Sequence, residues 1–150
     1  MREELQLSLE DHQKAKREVA FLLNILAQTI TDVIGDAAGA VGTAAGREAA
    51  RKMPLYFEQT DLEATLAELK KHFEGGFDWS YALGKEEFTM TFKHCALKEI
   101  CQIEHVAPGE DLCRHFHDYL NGVIIEHSKE RYKVDSIQPG DCCLVKHRSF

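Results

Sequence analysis

The hydrophobic pattern of this chain changes period at Gly75–Gly76, and that change constrains the fold more than any other feature. Before it, apolar residues recur at the three-to-four spacing of a helix face. After it, Phe77, Trp79, Tyr81 and Leu83 alternate with Asp78, Ser80 and Ala82, the pattern of a strand with one buried face. A turn at Gly84–Lys85 leads to a second alternating run through Phe88, Met90 and Phe92, so the pair reads as an antiparallel hairpin.

Three helices are expected ahead of the hairpin. Residues 9–34 carry Leu22, Leu26, Ile30 and Val33–Ile34 at helical spacing, Ser8 and Asp11 form a capping box, and Gly35 ends or bends the helix. Residues 37–53 form a second helix, stopped by Pro54. Its Gly39, Gly42 and Gly46 cost roughly 1 kcal/mol each against alanine, which makes sense if another backbone approaches closely. Together with Ala49–Ala50 they suggest a helix pair, 9–53, at a dimer interface. Thr60 and Glu63 read as the capping box of a third helix, with Leu62, Leu66, Leu69 and Phe73 as its buried stripe.

Beyond the hairpin, a loop holding Pro108–Gly109 leads into a helix over about 110–129. Arg131–Ile137 and Cys142–His147, joined through Pro139–Gly140, read as a second hairpin. The expected fold is α+β, an antiparallel sheet of about four to five strands packed against helices with an N-terminal helical pair. One domain should span 1–150, with helices over 9–53 and an α/β body over 54–150. A formal net charge of −7 without a basic block argues against nucleic acid. No run approaches the ~20 apolar residues of a membrane span, and the charged start is unlike a signal peptide. A cytoplasmic location follows, and with it five unpaired cysteines rather than a disulfide framework.

The chemistry-bearing stretch is "GEDLCRHFHDYLNG", 109–122. At 100° per residue Cys113 and His117 share one helix face as an i, i+4 pair, whereas His115 lies about 160° from Cys113 and belongs at the surface. Cys113 and His117 can hold one metal ion, with further donors from Cys95, Cys142, Cys143 or His147. Cys142 and Cys143 point to opposite sheet faces, so one of them at most serves a given site. The favoured set is Cys95, Cys113, His117 and Cys143, with zinc as the default for mixed sulfur and imidazole donors; iron, or haem iron on His117 or His127, ranks below it. Cys113 as a nucleophile with His117 as base is the other option, and packing of Cys113 and His127 in the core is the plainer one. Trp79, Phe88, Met90 and Phe92, with Phe116 and Leu120 from the helix, either form core or line an apolar ligand cavity.

Three stretches together carry a resemblance: "VGTAAGREAARKM", the strand leading to "FKHC", and "LCRHFHDYLNGVI". With the closing "VDSIQPGDCCLVKH" they resemble the 4-vinyl reductase, or hydrocarbon-binding, domains from about residue 40 onward. The family's Glu-x-x-Cys before the final Gly-Asp has no counterpart here, where Val134–Ile137 stand. The resemblance implies a fold like that of small vesicle-tethering subunits, a homodimer, and a small apolar, aromatic or tetrapyrrole-related ligand. Two other functions compete: a cysteine- or metal-dependent hydrolase similar to the thiazoline-carboxylate hydrolase-like proteins, and an interaction subunit of the tethering type.

Overall fold

The computed structural model describes residues 6–53 and 60–150, so Pro54 and its expected role as a stop lie outside the described residues. The architecture is α+β. Helix α1 spans Leu9–Ile34 and α2 Ala38–Lys52, followed by α3 (Leu62–His72), β1 (Phe77–Leu83) and β2 (Glu87–Cys95). Then come α4 (Ala96–Glu104), α5 (Asp111–Ser128), β3 (Tyr132–Gln138) and β4 (Cys143–Ser149). The four strands form one antiparallel sheet in the order β1-β2-β4-β3.

Local chemistry explains most boundaries. Ser8 caps α1 through the Asp11 backbone N–H, and Asp11 returns the bond to the Ser8 backbone. Gly35, at φ 64°, takes a conformation costly for other residues and bends the chain through a short 3-10 turn into α2. The cap of α3 differs from expectation. Asp61, not Thr60, accepts from the Ala64 N–H at 2.8 Å, because a carboxylate one residue later reaches the same first-turn donors.

The core lies between the sheet and α5. Phe88, Met90 and Phe92 of β2 and Val145 of β4 pack with Trp79 of β1 and with Leu120, Val123 and Ile124 of α5. Leu66 and Leu69 of α3 join the same cluster. Burial of each such side chain contributes roughly 1.5–3 kcal/mol.

Helix α2 covers the far side of α5, and the small-residue face is the reason. A Cβ on Gly46 would overlap the Tyr119 carbonyl oxygen, and one on Gly122 would overlap that of Thr43. The expected close approach is therefore present, but its partner is α5 of the same chain. The face assigned to a dimer interface is already used.

Helix α1 buries only a narrow strip, Ala20, Asn24 and Ala27, and crosses α4 and α5 with it. Its first half is exposed and charged, whereas from Val19 onward its outer face is largely apolar: Val19, Leu22, Leu26 and Val33 are 54%, 55%, 49% and 78% exposed. Among the described residues, the continuous helical run Leu9–Lys52 is long and apolar enough to cross a membrane by length and composition. A single helix of that kind carries little weight for a span, since length and composition alone are what it satisfies. The α2 half of the run is clamped onto α5.

Candidate functional site

Four of the expected donors border one small cavity. Cys95 sits where β2 passes into α4, Cys113 and His117 stand on α5, and Cys143 opens β4. The cavity measures about 30 Å³, the volume of an ion or a single water rather than an organic molecule. Phe92, paired in register with Cys143, closes one side, and Pro108 and Pro139 close another. Gly109, at φ 91°, lets the loop before α5 approach the Pro139 ring, where a Cβ would lie 3.2 Å away. Lys98 of α4 donates from Nζ to the Gly140 carbonyl at 3.1 Å, tying α4 to the β3–β4 turn.

The donors share a cavity without converging. Among the described residues, no three His, Cys, Asp or Glu side chains stand close enough together to grip an ion as they lie. Their chemistry suits a soft or borderline cation all the same. Burial pushes the His117 imidazole down to about 4, so it is neutral at physiological pH with a ring nitrogen free of protons. Burial raises the Cys95 and Cys143 thiols, the Lys98 charge opposing it in both. A metal taken up here would displace protons from sulfur, not from imidazole.

Cys113 and His117 border the same cavity and His115 does not, but His115 is not the surface residue that the helix wheel suggests. His115 is half-buried against α1, its Nε2–H shared between the Ala27 carbonyl (3.0 Å) and Thr31 Oγ1 (2.9 Å). Thr31 in turn donates to Asp111 Oδ1 at 3.0 Å. A single-helix wheel cannot know that α1 covers this face. Of the remaining candidates, Cys142 is exposed, His127 is half-buried, and His147 lies in the core away from the cavity.

Cys101 is the residue that sequence reasoning misses. It lies on α4, a segment whose sequence reads as loop, with its sulfur 3.9 Å from that of Cys113. Burial, and then the neighbouring Cys113 sulfur, push its thiol up to about 12. The signal is present in Leu97, Ile100 and Cys101, which repeat at helical spacing.

The six aromatic and aliphatic candidates sit together. Trp79, Phe88, Met90, Phe92 and Leu120 belong to the buried core, and Phe116 stacks on Phe77 with ring centroids 5.1 Å apart. Two histidines lie among them. His147 stacks on Phe88 at 4.4 Å and donates from Nδ1 to Asn121 Oδ1 at 3.1 Å, the Asn121 amide nitrogen being committed to the Tyr132 carbonyl at 2.8 Å. That leaves His147 Nε2 sealed in the core without a partner, as His117 Nδ1 also is.

Fold and site together define a small α+β domain with a cysteine–histidine cavity at the corner of its sheet. No protein-family model and no curated protein matches the sequence.

Proposed function

We propose that this chain is a homodimeric, cytoplasmic binding module that holds one thiophilic metal ion, zinc before iron, among Cys95, Cys113, His117 and Cys143. One observation carries the reading: donors from three separate chain segments border a single ion-sized cavity. A bound ion would cross-link the β2–α4 corner, α5 and the start of β4. The test is a Co²⁺ titration of the metal-free protein. Thiolate-to-cobalt charge transfer reaching one equivalent per chain supports the reading, and a spectrum of aqueous cobalt throughout defeats it.

The dimer rests on α1. Its exposed Val19, Leu22, Leu23, Leu26 and Val33 recur at helical spacing and make a stripe turned away from the strip the domain buries. An apolar stripe of that length matches a second copy of itself across a two-fold axis.

A small-molecule role has its own support in the sealed nitrogens His117 Nδ1 and His147 Nε2. Polar atoms left unpaired among aromatic rings cost stability, and a ligand with an aromatic body and a polar head would meet both needs by opening the sheet–α5 core. Trp79, Phe88, Met90, Phe92, Phe116 and Leu120 would be its walls. Perturbation of the His117 and His147 ring signals by phenol-sized compounds in NMR would support this role. Ring signals unchanged at millimolar ligand would remove it.

A further inference from the structure

We propose that Cys101 and Cys113 form a reversible intramolecular disulfide, installed by hydrogen peroxide that enters through the cysteine–histidine cavity. The bond itself stands independently of the metal reading. Its consequence, release of the ion, rests on that reading, because Cys113 is one of the proposed ligands.

Three observations on α4 and α5 support the bond. The two sulfurs are 3.9 Å apart, and among the described residues no other thiol pair is in contact. A disulfide needs about 2.05 Å, so the sulfurs have to close by roughly 2 Å, within the reach of small side-chain and helix adjustments. The pair is also asymmetric: Cys113 borders the cavity, whereas Cys101 is 1% exposed and lies behind it. A reagent in the cavity meets Cys113 first and leaves Cys101 as the resolving thiol. The surroundings, Leu97, Leu112 and Ala27, are apolar and hold the two sulfurs face to face.

The reaction balances as two steps. The Cys113 thiolate attacks one peroxide oxygen, the O–O bond breaks, and the second oxygen leaves as water after taking a proton, giving a sulfenic acid. Cys101 then loses its proton and attacks the Cys113 sulfur. The S–S bond forms as the S–O bond breaks, and the hydroxide leaves as water with that proton. Two thiols lose two electrons and hydrogen peroxide becomes two waters. A cellular thiol reverses the bond by exchange.

The experiment treats the full chain with hydrogen peroxide, both metal-free and zinc-loaded, alkylates the remaining thiols and maps the peptides by mass spectrometry. In metal-free protein the expected product is a Cys101–Cys113 linked peptide that dithiothreitol reverses. In Cys101→Ser the expected product is Cys113 carried on to sulfinic acid, and the wild-type linkage needs no variant to be read. Linkage of Cys113 to Cys95 or Cys143, or overoxidised Cys113 beside an untouched Cys101 in the wild type, would overturn the proposal. In zinc-loaded protein, one zinc should be released per disulfide, and a disulfide formed with zinc retained would overturn the coupling. Failure of untreated protein to bind zinc would remove the metal reading while leaving the linked peptide as evidence for the bond.

Discussion

Gly122 of α5 lies directly against the Thr43 carbonyl of α2, with no space for a methyl group between them. The same contact is mirrored a turn away, where Gly46 of α2 meets the Tyr119 carbonyl of α5. The two helices touch backbone to backbone, and the position of Cys113 and His117 over the cavity depends on that seating.

Alanine at Gly122 or Gly46 should therefore force the helices apart, at a cost of about 1–3 kcal/mol or more through overpacking. Gly76→Ala is the comparison, since nothing lies within 4 Å of its Cβ position. Urea denaturation of the three variants checks this. A Gly122→Ala midpoint equal to that of wild type would mean the helices are not packed this way.

Acid should destabilise the fold through its two buried histidines. Burial lowers His117 to about 4 and His147 to about 3, so the folded state stays unprotonated where the unfolded chain already binds protons. Stability is then full above the ordinary histidine value of about 6.5 and falls as the pH drops below it. Asp118 acts in the opposite sense, because burial raises its carboxyl and makes the folded state the better proton acceptor just above the ordinary aspartate range. Between about pH 6.5 and about pH 4 each histidine can cost up to roughly 3 kcal/mol, since a proton taken up only by the unfolded chain is worth about 1.36 kcal/mol for every pH step of one. Thermal melts from about pH 7.5 to about pH 4.5 should show this fall, with a flatter profile for His147→Gln. A wild-type profile that is level, or rises toward acid, contradicts it.

Leu22→Asp with Leu26→Asp should yield a monomer that keeps its circular dichroism, because both side chains are exposed in the single chain. Light scattering at micromolar concentration reads the outcome. A wild-type protein that is already monomeric there would refute the α1 dimer.

Much of this fold is legible in the sequence because its signals are local. The Ser8–Asp11 cap, the switch of period at Gly75–Gly76 and the alternation through Phe92 all lie within a few residues of what they determine. The features that escape a sequence reading depend on distant partners. His115 looks exposed on its own helix, yet the residue that covers it, Thr31, is 84 positions away. The glycines of α2 announce a close neighbour without naming it, and α5 is the answer. Helix α4 is hard to see because it follows β2 directly, with Cys95 at its N-cap supplying no side-chain capping bond. Cys101 is hidden with it.

His115→Ala should lose its bonds to Ala27 and Thr31, at a cost of about 1 kcal/mol of stability, while any bound metal stays in place. Thermal melting and metal content, measured on one preparation, separate the two effects. Loss of metal at unchanged stability would reverse the assignment.

Whether one ion is held by Cys95, Cys113, His117 and Cys143 is tested most directly by metal content per chain. Elemental mass spectrometry reads it in wild type and in Cys95→Ala, Cys113→Ala, His117→Ala, Cys143→Ala and His115→Ala, after equilibration with zinc and removal of the excess. The expected result is one equivalent in wild type and His115→Ala, with marked loss in each of the other four. Zinc absent from wild type, or retained in full by Cys113→Ala and His117→Ala, would contradict it.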